Sequence, residues 1–297
     1  KALELMTIYK HFIFAVILSQ GLLLGCSQRN EYSAALPKEV NETSGLACLK
    51  NDTFITINDS GNPSTLWEIN SYGRISRQFD TKQPNKDWEA ITTNQTTLFI
   101  ADTGNNSGRR NGGEIYQYQI NDLPTTKATA VINYRFAEFP NTALLPYRHD
   151  FDIEAVAFND NKLVMFSKSW TGGPSNVYQL VTTTEQLQLV KPIAQIPDLP
   201  GVITDATWSN KHKVYVLTGY ANFQQSLISV LLSGNWSPFL AVVSADFKLI
   251  SVKSIPDAGQ LEAVCLDSQN FIWLSQEQYK KSPAKLWRFG TLDALLN

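Results

Sequence analysis

After roughly residue 30 the apolar residues alternate with polar ones in short runs, and helical spacing is nearly absent. Five segments share one grammar. Ser44-Gly45-Leu46-Ala47 precedes TFITINDSGN, and Glu89-Ala90-Ile91-Thr92 precedes TLFIADTGNN. Glu154-Ala155-Val156-Ala157 precedes KLVMFSKSW, Thr204-Asp205-Ala206-Thr207-Trp208 precedes KVYVLTGY, and Glu262-Ala263-Val264-Cys265 precedes FIWLSQEQ. Each unit reads as two strands joined by a polar turn such as Thr93-Asn94-Gln95 or Ser209-Asn210-Lys211. Further β-branched and aromatic runs follow: EIYQYQI and TAVINYRF in the second unit, SLISVLL and FKLISVKSI in the fourth.

Four antiparallel strands repeated every ~40–65 residues predict an all-β chain folded as a β-propeller, because one blade cannot bury both faces and radial stacking can. Five anchors predict five blades. A sixth would need a degenerate unit in the longest step, between Glu89 and Glu154, which already holds four strands and the loop EFPNTALLPYRHDFD. The last unit has three strands of its own, AVCLD, FIWLSQ and AKLWRFG. The segment from Ser33 to Val40 is therefore expected to supply its outer strand and close the ring. The propeller is expected over residues 42–297, with 26–41 as the linker before it.

The run from Phe12 to Leu24 is apolar, follows Lys10 and His11, and ends in Leu23-Leu24-Gly25-Cys26. It is long enough for a signal sequence and too short to span a bilayer. It resembles a bacterial lipoprotein signal peptide over residues 1–25, with Met6 as the start. The resemblance implies cleavage before Cys26, lipidation (palmitate included) of that cysteine, and a tether to the cell envelope. Ser27 after the cysteine implies the outer membrane.

The net charge of −2 and a pI near 6.0 leave no basic footprint for nucleic acid. With Cys26 assigned to the lipid, Cys48 and Cys265 remain, and neither belongs to a metal-type pair. They lie on the inner strands of the first and last units, facing opposite sides of their sheets, so ring closure should bring them near each other, bonded or not. Only His149 and His212 follow Cys26, which excludes a multi-histidine metal site. No G-x-S-x-G, H-E-x-x-H or P-loop pattern is present.

The repeat places two sets of residues around the axis at one end of the tunnel. Ser44, Glu89, Glu154, Thr204 and Glu262 open the inner strands; two residues earlier, on the same side by alternation, stand Glu42, Asp87, Asp152, Val202 and Gln260. The second strands close with Asp59, Asp102, Lys168, Thr218 and Gln276, with Glu277 beside it. So many carboxylates repel if ionised and dry. A calcium ion held by Glu89, Glu154, Glu262, Asp59 and Asp102 would neutralise them. Alternatively, neighbouring backbone N–H groups or Lys168 would do so.

His149, just before the third inner strand, is the one histidine expected on that face, and hence the candidate base. His212 is expected on the opposite face. The glycine-rich loop from Gly104 to Gly113 carries Arg109 and Arg110, and Trp170 to Pro174 forms a second loop. With Asp87, Asp152 and Lys168 they would line a ligand face.

The runs ETSGLACLKNDTFITINDSGNPSTLWEINSYGRISRQFD, DWEAITTNQTTLFIADTGNN and DIEAVAFNDNKLVMFSKSW resemble the SdiA-regulated (YjiK-like) propeller proteins. The likeness covers about Glu42 to Leu274. More distantly the anchors are similar to phytase esterase-like proteins and calcium-dependent lactonase propellers. The lactonase resemblance implies axial Ca²⁺ at the positions of Glu89, Glu154 and Glu262. Ser44 and Thr204 depart from that pattern, and no histidine pair matches. Two functions follow as expectations: a lipid-anchored module binding a small ligand or an envelope protein at the acidic mouth, or a calcium-dependent esterase, lactonase or phosphoesterase there.

Overall fold

In the computed structural model, which describes residues 32–123, 127–183, 186–221 and 237–296, the alternating runs are strands of five sheets. After β1 (Tyr32–Ala35), the first blade is β2 (Thr43–Cys48), β3 (Thr53–Asn58), β4 (Thr65–Asn70) and β5 (Ile75–Asp80). The second is β6 (Trp88–Thr93), β7 (Thr97–Asp102), β8 (Gly113–Gln119) and β9 (Ala130–Phe136). The third is β10 (Ile153–Asn159), β11 (Lys162–Ser167), β12 (Ser175–Val181) and β14 (Ala194–Ile196), with β13 (Gln188–Val190) in the connection between the last two. The fourth is β15 (Gly201–Ser209), β16 (Val214–Ala221), β17 (Pro238–Ser244) and β18 (Leu249–Ser254). The fifth is β19 (Leu261–Leu266), β20 (Phe271–Gln276) and β21 (Lys285–Thr291). The architecture is a five-bladed β-propeller. The signal-like run and Cys26 lie outside the described residues.

Local chemistry explains the hairpins. Asp160 and Asn161, with φ of 49° and 59°, join β10 to β11 in a two-residue loop, where left-handed residues match the twist of the flanking strands. Burial explains the blades. Phe99, Ile132, Tyr134, Met165 and Tyr178 pack between the second and third sheets, and Phe166, Tyr215 and Phe239 between the third and fourth. Each such side chain contributes about 1.5–3 kcal/mol of burial free energy.

The ring closes twice. β1 pairs antiparallel with β21, Tyr32 opposite Arg288 and Ala35 opposite Lys285, as the outer strand of the fifth sheet. Cys48 of β2 and Cys265 of β19 form a disulfide with Cα atoms 5.5 Å apart, stapling the first inner strand to the last.

Two features depart from the sequence reading. The run SLISVLL lies outside the described residues, and the third strand of the fourth blade is Pro238–Ser244. That segment is buried at every position but its last, so it shows no alternation. The second sheet carries a fifth strand: β13, reached from the third blade, pairs parallel with β9, Val190 opposite Phe136.

The third feature sets up the site. In all five blades the ladder between the first and second strands slips by one residue at the anchor. Thr43 pairs with Asn58 and Gly45 with Ile57, so Ser44 is left out. Glu89, Glu154, Thr204 and Glu262 are skipped in the same way. These are β-bulges, which re-aim side chains at strand ends. Ser44 donates to the carbonyls of Trp88 and Glu89, and a Cβ on Gly45 would stand 2.8 Å from the Ile91 nitrogen. Two successive positions therefore face the second blade, against the alternation of a regular strand.

Candidate functional site at the tunnel mouth

The five bulges fall at one end of the inner strands, and their occupants divide by chemistry. Ser44 and Thr204 are spent on the next blade: Thr204 donates to the Leu261 carbonyl at 2.9 Å, and neighbouring Asp205 accepts the Val264 N–H at 2.9 Å. Glu89 and Glu154 are buried, Glu262 is half-buried, and the three act on one another electrostatically. Glu89 feels Glu154, Asp59, Asp87 and Asp152; Glu154 feels Glu262; and Glu262 feels Asp59.

Lys168 lies among them. Its Nζ is 2.9 Å from Glu154 Oε2 and 4.8 Å from the centre of the Trp170 ring. Burial alone would lower its pKa, but Glu154, Glu262, Glu89 and Asp152 outweigh that and raise it, so the amine stays charged.

The carboxylates outnumber this ammonium. Burial pushes Glu89 well above the ordinary carboxylate range, and neighbouring carboxylates add to the effect. Burial, then Glu262 and Asp59, push Glu277 up to about 9. Burial and Asp59 push Asp87 up to about 6, and burial raises Asp59. Glu262 is also raised by burial, against Lys168 and the Tyr220 hydroxyl, which donates to it at 2.6 Å.

Which of these could hold a cation is a matter of who is already partnered. Glu154 is paired with Lys168, and Glu262 accepts from Tyr220. A metal held jointly by Glu89, Glu154 and Glu262 does not fit, since an ammonium already stands among the three. Asp59, Asp87 and Glu89 do fit: one oxygen of each lies within 4.8 Å of the others. Gly104 walls this group. A Cβ on it would come 2.1 Å from Glu89 Oε1 and 2.5 Å from Asp87 Oδ2.

Several residues assigned to the ligand face have other tasks. Asp102 is fully buried and bound to Arg110 at 2.7 Å, with the Lys86 N–H and Tyr116 hydroxyl also on it, so it is no part of the axial group. It pairs with Trp88 as Asn58 pairs with Thr43, so it stands one position before the counterpart of Asp59. Arg110 also donates to the Gly104 and Asp102 carbonyls, which pins the glycine-rich loop rather than offering a cation to a ligand. Asp152 accepts from the Asn105 N–H at 2.5 Å and the Trp170 indole at 2.6 Å, joining that loop to the next. Arg109 is exposed on the same loop.

His149 is not among the axial carboxylates. It is buried at a side cavity between the second and third blades, its Nδ1 accepting the Phe151 N–H at 3.3 Å. His212 lies 3.2 Å from Asp293. Sequence reasoning missed Tyr220 as the partner of Glu262, and Gly104 as the wall of the Asp59–Asp87–Glu89 group. The only signal for either was position: a tyrosine near a strand end, and a glycine two residues after Asp102.

No family model matches the chain, and no curated protein sequence matches it. Among solved structures it is similar to hydrazine synthase of Kuenenia stuttgartiensis, at 10% identity and a TM-score of 0.41, over 81% of this chain. The match spans 57% of the hydrazine synthase chain. It is also similar to a chain of a nidogen/laminin complex, at 11% identity and a TM-score of 0.44, over 79% of this chain and 72% of that one. At these values neither likeness bears on what this protein binds.

Proposed function

We propose that this propeller is a binding module, lipid-anchored at Cys26 in the bacterial envelope, that takes a cationic group at its acidic tunnel mouth. The observation that carries the reading is the convergence of Asp59, Asp87 and Glu89, three carboxylates with no lysine or arginine paired to them among the described residues, beside a glycine that leaves their oxygens uncovered. Their raised pKa values mean that the group carries fewer charges alone than it would around a cation, so binding releases protons. The cation is either Ca²⁺ or an organic ammonium or guanidinium from a ligand or envelope protein. The disulfide supports export, because such bonds persist in oxidising compartments.

Calorimetric titration of Ca²⁺ and of a guanidinium salt into the full chain, in two buffers of different ionisation enthalpy, tests the reading. Binding with proton release is expected, and is lost in Glu89→Gln and in Gly104→Ala. Absence of binding by either cation refutes it.

The same carboxylates, with the lactonase resemblance, support the alternative of calcium-dependent hydrolysis of esters, lactones or phosphoesters. With His149 at the side cavity, a base would have to come from the carboxylates themselves. Calcium-stimulated turnover of an ester and lactone panel, abolished in Glu89→Gln, would favour that alternative.

A further inference from the structure

The chain enters the propeller at the end opposite the tunnel mouth. β21 runs away from the mouth, since Lys285 pairs with Gln276 and Thr291 with Phe271. β1 is antiparallel to it, so Ala35 lies toward the mouth and Tyr32, opposite Arg288, toward the far end. Five residues, Ser27 to Glu31, separate Tyr32 from Cys26. Fully extended, they reach about 20 Å. The six-residue inner strand β2 alone rises about 17 Å between mouth and far end, before any loop is added. A lipid on Cys26 therefore lies within easy reach of the far end and at the limit of reach from the mouth.

Beside that entry point stands an exposed aromatic side chain. The hairpin between β4 and β5 turns at the far end, where Asn70 Oδ1 fixes it by accepting the Tyr72 and Arg74 N–H groups at 3.0 and 3.1 Å. Gly73, at a φ of 72°, lets the turn lie against β1: a Cβ there would stand 2.7 Å from the Ala35 carbonyl oxygen. Tyr72 is thereby held at the tip, 65% exposed, its ring edge-on to Tyr32 at 6.0 Å. Arg74 is exposed and belongs to no ion pair among the described residues. The charges around it cancel: Lys50 against Asp52 on the inner hairpin of the same blade, and Arg29 against Glu31 on the tether. Tyrosine favours the boundary between lipid and water, and arginine pairs with phosphate oxygens.

We infer that the hairpin from Asn70 to Arg74 rests on the bilayer that holds the Cys26 lipid, with Tyr72 in the headgroup layer and Arg74 on lipid phosphates. The inference rests on the lipid anchor proposed above. It turns the acidic mouth away from that bilayer, so the ligand of the mouth arrives from the aqueous side.

The test places the full lipidated chain in vesicles of phosphatidylethanolamine and phosphatidylglycerol, with and without a nitroxide-labelled lipid. Cys48 and Cys265 are bonded and Cys26 is acylated, so one introduced cysteine can carry a fluorophore. Ser71→Cys reports beside Tyr72, and Lys82→Cys, exposed beyond the mouth end of β5, reports the opposite end. The nitroxide should quench the label at position 71 and leave the label at position 82 bright. Adding Tyr72→Ser and Arg74→Gln to the Ser71→Cys protein should relieve the quenching. Equal quenching at both positions, or stronger quenching at position 82, overturns the inference. Unchanged quenching in the Tyr72→Ser/Arg74→Gln protein also overturns it, because the tether alone would then set the orientation. Protein recovered without lipid on Cys26 refutes the anchor, and the inference with it.

Discussion

Lys168→Met removes the one ammonium from among the three axial glutamates while keeping most of the side chain's volume. In the native protein Nζ lies 2.9 Å from Glu154, and the two side chains are 12% and 5% exposed. Without the ammonium, Glu154 has two options: to stay ionised, buried and unpaired, or to take a proton. Protonation sets the ceiling on the cost. Each pH unit above the ordinary glutamate value of 4.5 costs about 1.4 kcal/mol. The ceiling is therefore about 5 kcal/mol at pH 8, but under about 1 kcal/mol at pH 5. Burial already holds Glu154 well above its ordinary value in the native protein despite Lys168, so the loss stays below that ceiling. At roughly 2–4 °C per kcal/mol, the variant should melt up to about 10–20 °C below wild type at pH 8 and within about 4 °C of it at pH 5. Differential scanning fluorimetry of both proteins across that range measures it. A deficit of equal size at both pH values would mean that Lys168 acts through packing on Trp170 alone, and would refute the electrostatic account.

Three further outcomes follow from the same geometry. Metal-free protein should lose stability as pH rises from 5 to 9. Asp87 and Glu277 titrate near 6 and 9 when folded, above their unfolded values, so their contribution is full at low pH and lost as pH passes each folded value; calcium should blunt the fall in melting temperature. The double variant Cys48→Ala/Cys265→Ala opens a cross-link of 217-residue separation and should cost about 5 kcal/mol in urea unfolding, a loss under about 1 kcal/mol being inconsistent with ring closure by the staple. Cys26→Ser should move the protein from the membrane fraction to the soluble one, and unchanged retention would sink the lipid anchor.

Much of the architecture could be read from the chain because the repeat is carried by local patterns. Anchors such as Glu89-Ala90-Ile91 and Glu154-Ala155-Val156 mark where each inner strand begins, and Asp160-Asn161 marks a tight hairpin. The bulges could not be read, because a bulge is a property of two paired strands and leaves no mark on one. Alternation from the anchor does put Asp87, two residues before Glu89, within reach of it. Asp102 misled because the repeat is one residue out of step there: it pairs with Trp88 as Asn58 pairs with Thr43, so Thr103, not Asp102, takes the place of Asp59. His149 depends on the path of the segment from Ala137 to Asp152, which contains no strand and so no register to count from. β13 has three residues, too few to show a period.

The bulge at every anchor separates what the ring needs from what its mouth can become. A residue outside the ladder supplies no register, so its side chain is free of the demands that hold its neighbours to small or β-branched types. Ser44, Glu89, Glu154, Thr204 and Glu262 are in effect five sockets on a common frame. Two are plugged by hydroxyls that tie one blade to the next, and three carry charge. Swapping a plug for a carboxylate, or the reverse, redraws the field at the mouth while leaving every strand pair in place. A lineage with this frame can therefore change its ligand by single substitutions, without refolding, and an engineer can do the same.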